Sequence, residues 1–429
     1  MSSIVQAISN VRDVTRYFVD GVYEEHLNFS SDSSGEVATA FAEVINAMWD
    51  GFHDTYSPTR LKTAVGFPGS HQHDAADFLT SFITKLHDDL DTVLVRQPSP
   101  ILNTDGISPS EAADLALQNQ DKSEGKSFFS STFYGQSRTD LKCTSCGAES
   151  YIYDRFLELQ LPIAPNGGLE RLLEKELEPE IIDRNCPRPE CNNRQATKTY
   201  RIIRLPKILC VQLKRFFFNT ERNFSGKIER FVDFPLEVDM AQFITGDKSE
   251  YKKFKLSSVV NHYGQSNSSG HYTTMGLSSH LNKWVHFNDS HASAVSPRRI
   301  KTSSAYLLFF VASGEEVGPG GSLSSAERSP QDAVGRQTAT SSPNQSRPST
   351  PPPRPSTPNL SSLLSGVRVQ DGPMETPPSR LARGSPTRVR KWLMRHQTAL
   401  VSQPDAISLA SLFLHSVAFS FVRNVRFAT

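Results

Sequence analysis

The chain has 429 residues, which is enough for one large domain or two ordinary ones. Its formal net charge is +1, so it lacks the overall attraction to nucleic acid or anionic membranes that a basic protein has. Five cysteines in this length exclude a disulfide scaffold, and the first residues lack the basic segment and apolar core of a signal peptide, so we expect a cytoplasmic or nuclear location, or both.

The first part of the chain has the hydrophobic spacing of helices. Apolar residues recur at helical intervals within 4–14 and 37–48. The clearest amphipathic helix spans 74–90, because its apolar residues share one face and acidic residues occupy its first turn. Residues 97–127 are polar, and their composition predicts a surface excursion.

From about residue 150 the composition becomes typical of β-structure, with many β-branched and aromatic residues. Residues 169–177 predict a short helix among the strands. Helices first and strands later indicate an α+β fold. The predicted strands are 151–161, 200–205, 208–218, 231–234, 254–262, 271–277, 285–288 and 305–311.

The composition changes after residue 313, which ends the predicted globular domain of residues 1–313. Residues 314–398 are rich in Ser and Pro, and they predict a disordered tail because they have too little apolar surface to offset chain entropy. Residues 399–429 form a short, more apolar C-terminal segment of unknown role. Its apolar run, 406–422, is shorter than the ~20 residues usually needed to span a bilayer, so a membrane role is not expected.

Four of the five cysteines form two short pairs, Cys143 with Cys146 and Cys186 with Cys191. Two such pairs on two turns can place four thiolates at tetrahedral corners, which favours Zn²⁺ at about 2.3 Å from each sulfur. Four protein ligands leave no open position, so the ion would be structural. The alternative is two unrelated pairs of free thiols, because the second pair has four intervening residues instead of two.

His271 is the candidate general base. It follows a segment rich in Gly, Ser and Asn, and Asn288 lies seventeen positions later on the next predicted strand. Cysteine and serine proteases hold an imidazole in this way, with a second side chain that fixes its tautomer. Among the other histidines, His262, His286 and His291 are expected to be structural or surface residues.

Several motifs in 1–313 occur together in the order found in one enzyme family. They are HQHDAADFL, LKCTSCGAES, LPKILCVQLKRF, VDFPLEVDM, NHYGQSNSSGHYT, WVHFNDS and SSAYLLFFV. In these motifs the chain resembles the ubiquitin-specific proteases, the USP family of deubiquitinating cysteine proteases.

The resemblance implies a papain-like thumb–palm–fingers fold: a helical thumb, a β-sheet palm, and fingers over about 130–205 that carry a zinc ribbon. It implies that ubiquitin binds in the hand and that the bond after its C-terminal glycine is hydrolysed. His271 matches the general base of the family and Asn288 its third catalytic position. Asp289 is the neighbouring acid, which would help to orient His271. The loop 264–270 would flex to admit the substrate.

One departure from the family concerns the nucleophile. The family's box has the form GNTC-x-MNS-x-LQ, and Met1 to Gln6 match only its end, so the cysteine would lie two positions before Met1. Cys210 is no substitute, because apolar neighbours on both sides predict a buried strand position. The chain as written is therefore predicted to be inactive.

Two interpretations remain. In the first, the protein is a deubiquitinase whose first residues are missing from this sequence. In the second, it is a catalytically inactive scaffold that binds ubiquitin and ubiquitinated proteins without cleaving them. A zinc-containing nucleic-acid module is disfavoured, because basic residues are not concentrated around the cysteines. No feature indicates oligomerisation, so a monomer is expected.

Overall fold

The computed structural model describes residues 1–313 with short gaps, together with Arg426–Phe427; the gaps are 50–52, 54, 67–72, 94, 101, 103–105, 221–223, 267–268 and 279–281. The predicted tail and the C-terminal segment therefore lie outside the described residues, except for Arg426–Phe427. In the part of the chain that is described, no helix is long and apolar enough to cross a bilayer.

The first third of the chain is helical, as the apolar spacing predicts. The helices are α1 Ser2–Ser9, α2 Arg12–Val19, α3 Glu36–Trp49, α4 Thr59–Val65, α5 Ala75–Asp89, α6 Pro109–Glu124, α7 Phe128–Phe133 and α8 Leu169–Glu176. Short 3-10 helices occur at Val22–His26, Ala241–Phe243 and Pro297–Arg299. Helix α5 confirms the predicted 74–90 helix, and Asp74 caps it by accepting a hydrogen bond from the backbone N–H of Ala76 at 2.7 Å.

The strands form a large sheet, a four-stranded sheet and two strand pairs. They are β1 Thr55–Tyr56, β2 Gly135–Cys143, β3 Glu149–Phe156, β4 Glu158–Pro162, β5 Glu180–Asp183, β6 Gln195–Arg204, β7 Ile208–Lys214, β8 Phe216–Asn219, β9 Phe224–Lys227, β10 Glu237–Asp239, β11 Lys253–Ser266, β12 Ser269–Ser278, β13 Lys283–Asn288, β14 His291–Val295, β15 Ala305–Ala312 and β16 Arg426–Phe427.

The large sheet has eight strands in the order β14-β13-β12-β11-β15-β7-β4, with β10 paired to β11. The four-stranded sheet has the order β3-β2-β6-β5 and corresponds to the predicted finger strands of about 130–205. Strand β8 pairs with β9, and β1 pairs in parallel with β16.

The central strands of the large sheet are buried on both faces. Val260 and Phe309 belong to a core shared with the N-terminal helices, whereas Val259 and Phe310 belong to a second core on the opposite face. Each fully buried side chain of this size contributes about 2 kcal/mol of hydrophobic stabilisation. The apolar runs in β11 and β15 therefore fix the sheet between two layers.

Helix α1 is attached to the large sheet by two buried hydrogen bonds. The Thr274 hydroxyl donates to the carbonyl of Ser3 at 2.6 Å, and the Ser258 hydroxyl donates to the carbonyl of Ala7 at 3.3 Å. The pairing of β11 with β12 joins Ser258 directly to Gly276. A side chain at Gly276 would approach Asn10 of the α1–α2 connection to 2.9 Å, so glycine permits this close packing.

Within the predicted surface excursion 97–127, the second half forms helix α6. Ser108 and Glu111 form a capping box: the Glu111 N–H donates to the Ser108 hydroxyl at 3.2 Å, and the Ser108 N–H donates to the Glu111 carboxylate at 2.8 Å. The buried face of α6 consists of alanines, including Ala113, which pack with Tyr153 in a small separate cluster.

The predicted strand at 231–234 is an irregular segment in the structure. Its apolar side chains Val232 and Phe234 are buried in the second core. The carbonyl of Asp233 accepts a hydrogen bond from the N–H of Leu169 at 2.7 Å, at the start of α8. The segment is apolar because it fills space under α8, without joining a sheet.

Candidate active site and thiol cluster

The structure brings His271 and Asn288 into direct contact. His271 lies near the start of β12 and Asn288 at the end of β13, and the antiparallel register of Thr274 with Phe287 places these ends together. His271 Nε2 is 2.6 Å from Asn288 Oδ1. Since an amide oxygen only accepts, Nε2 carries the proton and Nδ1 is left as the basic nitrogen.

Asp289 lies farther from the imidazole than Asn288 does. Its carboxylate is 3.7 Å from His271 Nε2, and both side chains are partly exposed, at 44% for His271 and 38% for Asp289. Asp289 has a φ of 48°, in the left-handed region that Asp tolerates better than most residues. The hairpin turn therefore directs Asn288, and less closely Asp289, toward the histidine.

The segment 264–270 continues the β11–β12 hairpin. Ser266 pairs with Ser269, with Gly264 and Gly270 on either side at φ values of 148° and 151°. Residues 267–268 at the tip lie outside the described part of the chain. The glycines allow the two strands to approach closely beside His271, and the predicted flexing of this loop stays a prediction.

The beginning of α1 lies beside this site. The charge of the backbone amine of Met1 interacts with that of Asp289, and Thr274 on the strand of His271 holds Ser3. The first turn of α1 is thus close to Asp289, beside the imidazole. The N-terminus of a helix stabilises an anion such as a thiolate.

Acidic and phenolic side chains cluster where α5 meets the large sheet. Asp74 Oδ1 accepts from the Tyr306 hydroxyl at 2.8 Å, and Oδ2 accepts from the Tyr272 hydroxyl at 3.4 Å. Burial raises the pKa of Asp74, and burial followed by the charges of Asp74 and Asp77 raises the pKa of Glu158. Glu158 Oε2 is buried without a hydrogen-bond partner among the described residues.

This acidic cluster was only partly anticipated. In the sequence, Gln72 and Asp74 stand at the start of the predicted 74–90 helix and are candidates either to cap it or to guide the substrate. Capping by Asp74 is confirmed, and Gln72 lies outside the described residues. The roles of Tyr272, Tyr306 and Glu158 were missed, because they depend on contacts between distant segments.

The four paired cysteines converge at the end of the four-stranded sheet. Their sulfur atoms all lie within 4.8 Å of one another, with 3.8 Å between Cys143 and Cys191 and 3.5 Å between Cys146 and Cys186. Asn193 donates from its side-chain nitrogen to the sulfur of Cys143 at 3.4 Å. The set is close enough to bind a metal ion.

The chemistry of the cluster fits a soft divalent cation. The hydrogen bond from Asn193, followed by those from the backbone of Cys146 and Ser145, lowers the pKa of Cys143 to about 6. Although a backbone hydrogen bond from Arg188 favours the Cys186 thiolate, burial and the neighbouring thiols raise the pKa of Cys186 to about 12. Four thiolates this close repel one another unless a cation neutralises them.

The fifth cysteine lies in the core. Cys210 is on β7 at 0% exposure, and burial followed by the charge of Glu158 raises the pKa of its thiol. The predicted buried position is confirmed. The predicted absence of a nucleophile is not confirmed, since Cys143 is present, and its lowered pKa is a property of nucleophilic thiols as well as of metal ligands.

Comparison with known proteins identifies the family. The profile of the family UCH, ubiquitin carboxyl-terminal hydrolase, matches residues 1–310. Human ubiquitin carboxyl-terminal hydrolase 2 is 32% identical over 328 residues, which cover 72% of this chain and 53% of that protein. The chain thus spans about half the length of the curated relatives it matches.

Solved structures show the same fold. The yeast SAGA DUBm, solved with a mutant Sgf73, has a TM-score of 0.58 and 23% identity, covering 73% of this chain and 66% of that chain. The SAGA Ubp8/Sgf11/Sus1/Sgf73 DUB module bound to ubiquitin aldehyde has a TM-score of 0.55 and 24% identity, covering 73% and 67%. The chain therefore belongs to the ubiquitin carboxyl-terminal hydrolase family, within its ubiquitin-specific protease group.

Proposed function

We propose that this domain binds ubiquitin and is built for thiol-dependent hydrolysis of the bond at the C-terminal glycine of ubiquitin. The observation that carries the proposal is the contact of 2.6 Å between His271 Nε2 and Asn288 Oδ1 beside the start of α1. This contact supports a general base whose tautomer is fixed, next to the position where the family resemblance places a cysteine. Family membership supports the substrate class.

In the proposed mechanism His271 is the general base. Asn288 accepts the Nε2 proton and orients the ring, so that Nδ1 takes the proton of the attacking thiol. The resulting thiolate attacks the carbonyl carbon, and His271 then returns the proton to the departing amine, which leaves a thioester. Water, deprotonated by His271, attacks this thioester, and the thiol is released together with the free C-terminal carboxylate of ubiquitin. Asp289, at 3.7 Å, stabilises the imidazolium that forms between these steps.

The acidic cluster supports binding of a cationic, extended segment of the substrate. Asp74 and Glu158 lie between α5 and the sheet, on the side where Tyr272 also lies. The attraction of a bound cation offsets the desolvation cost of these two partly buried carboxylates. The ubiquitin tail would pass here, between thumb and palm, on its way to His271.

We further propose that none of the five cysteines serves His271, so that the 429-residue chain binds ubiquitin without cleaving it. Cys143 contacts Cys191 and Asn193 in the four-stranded sheet, whereas His271 contacts Asn288 and Asp289 in the large sheet. Cys210 is fully buried. A cysteine supplied two positions before Met1 would convert this ubiquitin-binding chain into an enzyme.

We propose that the thiol cluster holds a structural Zn²⁺ through Cys143, Cys146, Cys186 and Cys191. The distances among the four sulfur atoms support this, and Asn193 would orient one ligand from outside the coordination shell. The ion would supply fixed cross-links between the ends of β2 and the segment before β6. It would take no part in hydrolysis, because four protein ligands leave no site for substrate.

A ubiquitin derivative with a C-terminal electrophile tests the proposal. The 429-residue chain should bind free ubiquitin in calorimetry but form no covalent adduct with this probe. A chain extended so that a Gly-Asn-Thr-Cys box places cysteine two positions before Met1 should form the adduct, and His271→Ala should abolish it.

Three outcomes contradict parts of the proposal. An adduct of the unextended chain that disappears in Cys143→Ser would assign the nucleophile to Cys143. An adduct mapped to Cys210 would show that the core around this buried thiol opens enough to admit the probe. If the chain is folded by circular dichroism but free ubiquitin produces no heat and no displacement of a labelled ubiquitin, ubiquitin binding itself is wrong.

A further inference from the structure

A cleft of about 440 Å³ lies next to the catalytic pair on the large sheet. Tyr263 and Met275 line it from β11 and β12, and His286 and Ser293 line it from β13 and β14. Tyr263 is the cross-strand neighbour of His271, and Met275 is the neighbour of His286. Since paired residues of neighbouring strands lie side by side, the Tyr263 wall of the cleft adjoins His271.

One cationic side chain borders the cleft. Arg299, in the 3-10 helix Pro297–Arg299, reaches its rim, and no Asp or Glu is among the described residues that line it. Burial, followed by the charges of Arg299 and His271, lowers the pKa of His286. The guanidinium of Arg299 therefore lies close to the His286 ring, where a negative charge would be favoured.

The cleft also contains an unused hydrogen-bonding atom. His286 Nε2 is buried and has no partner among the described residues. Such an atom loses the free energy of hydration without replacement until a ligand supplies a partner. Ser293 adds a hydroxyl to the same wall. His286 was expected to be a structural or surface residue, and the structure gives it a place in a candidate binding site.

The cleft lies on the opposite side of β12 from the acidic cluster. Tyr272 points to Asp74 and the thumb helices, whereas Met275, which lines the cleft, packs in the second core on the opposite face. The ubiquitin tail is assigned to the acidic side. The cleft, which Arg299 borders, is then available to the leaving group, the lysine-bearing part of the substrate.

Resting on the proposed function, we propose that the cleft lined by Tyr263, His286 and Arg299 binds a carboxylate side chain next to the ubiquitin-bearing lysine of the substrate. Arg299 supplies the charge, and His286 Nε2 donates to the carboxylate. Ubiquitin placed on a lysine with acidic neighbours is thus preferred over the same modification in a neutral sequence.

The test uses two conjugates of ubiquitin with a fluorescent peptide, joined through a triazole in place of the isopeptide bond so that neither is cut. In one peptide the linking residue is flanked by Glu, and in the other by Gln. Fluorescence anisotropy should show about two- to fivefold tighter binding of the Glu form to the full chain, the range expected for one partly exposed ion pair.

Variants then assign the preference to the cleft. Arg299→Gln should remove the preference, and His286→Gln should reduce it. The matched control is Arg298→Gln, because Arg298 is an exposed arginine of the same 3-10 helix that does not line the cleft, and this variant should retain the full preference.

Each failure has a distinct meaning. Equal affinity for the two conjugates, or a preference that survives in Arg299→Gln, overturns the inference while leaving ubiquitin binding intact. If inorganic phosphate shifts the His286 resonances and the conjugates bind equally, the cleft takes free anions and the assignment to substrate is wrong. If neither conjugate nor free ubiquitin binds the folded chain, the proposed function fails and this inference fails with it.

Discussion

His271 has two oxygen partners at different distances, and the distances assign them different tasks. Asn288 Oδ1, at 2.6 Å, is within hydrogen-bonding distance of Nε2 and decides which ring nitrogen carries the proton. The Asp289 carboxylate, at 3.7 Å and partly exposed, adds a screened charge. The expectation that Asn288 ranks ahead of Asp289 therefore has a geometric reason, and their catalytic roles stay predictions.

Asn288→Ala should change the tautomer of His271. Without the amide oxygen, the proton distributes between Nε2 and Nδ1, because no remaining group specifies one site. Nitrogen NMR at pH 8 should show an Nε2-protonated ring in the original chain and a mixture in the variant. Asp289→Asn is the control, since asparagine also tolerates a φ of 48°, and it should leave the tautomer unchanged. An Nε2-protonated ring that persists in Asn288→Ala would show that Asn288 does not set the tautomer.

Residues that act through local patterns were predictable, and those that act through distant contacts were not. His271, Asn288 and the four paired cysteines stand in recognisable local sequences. Tyr306, by contrast, becomes part of the site only because β15 passes opposite α5 and places its hydroxyl 2.8 Å from Asp74. Nothing near Tyr306 in the sequence specifies that neighbour.

The four-stranded sheet depends on its thiol cluster. Cys143 ends β2, and Cys186 and Cys191 lie in the irregular segment between β5 and β6. Strands β2 and β6 pair along their full length, so a cross-link at the cysteines holds the register at that end. Without a bound ion, repulsion among the thiolates acts against this arrangement.

Cys146→Ser should therefore release the metal and loosen this sheet. The unmodified chain should contain about one zinc per molecule by mass spectrometry, and the variant much less. Hydrogen exchange should accelerate in β2, β3 and β6 and stay unchanged in β11 and β15. The neighbouring Ser145→Ala should keep the metal. An unmodified chain that contains no zinc after preparation in zinc-containing buffer would contradict the metal site.

The β11–β12 hairpin beside His271 requires glycine at position 270. A Cβ there would lie 2.4 Å from the carbonyl oxygen of Tyr263 and 2.5 Å from His262 Nε2. We expect Gly270→Ala to lower the free energy of unfolding by about 2–3 kcal/mol, through backbone strain and this contact together. Urea denaturation measures the loss.

Gly246→Ala separates the two causes of that loss. Gly246 also has a positive φ, of 83°, but a Cβ there would have no atom within 4 Å. This variant should lose only about 1 kcal/mol, the cost of the left-handed conformation. Equal losses in the two variants would show that the close contact at Gly270 contributes nothing.

Helix α6 was not predicted from the sequence composition. Its buried side is made of Ala112, Ala113 and Ala116, so its sequence has no large apolar residues at helical spacing. The sequence nevertheless marks where this helix begins, since Ser108 and Glu111 have the spacing of a capping box and Pro109 follows the cap. Small residues are sufficient here because Tyr153 supplies the bulk of the contact.

The order of layers in the whole domain was the most predictable property. Helices followed by strands indicated an α+β fold, and the strand predicted at 305–311 is β15, whose apolar run is buried on both faces. Strand β2 was missed because residues such as Gln136, Arg138 and Asp140 are polar. Their polar atoms form hydrogen bonds with neighbouring residues of the sheet. Arg201, for example, donates to Asp140 at 2.5 Å.

The stability of the domain should depend on a histidine buried between its layers. His262 is fully buried, with its ring centre 5.0 Å from that of Phe216 and 4.6 Å from that of Tyr272. Burial, followed by the charge of Lys227, lowers its pKa from 6.5 to about 4. Between these two values the unfolded chain binds the proton and the folded chain does not, so stability falls as the pH falls through this range.

Two buried carboxyls act in the opposite direction. Burial raises the pKa of Asp74 and of Glu158, so protonation of these groups at low pH favours the folded state. The pH dependence of the original chain is therefore a sum of opposed contributions. Only a comparison with a variant isolates the share of His262.

His262→Gln provides that comparison. The original chain should lose about 2 kcal/mol more than the variant between pH 7 and pH 5, because only the original chain carries the protonation penalty of the buried imidazole. Urea denaturation at the two pH values measures both losses. His291→Gln, which removes an exposed histidine, should keep the pH dependence of the original chain. If His262→Gln keeps it too, the imidazole is protonated or solvated in the folded state, and the tight packing between β11 and the thumb helices does not persist in solution.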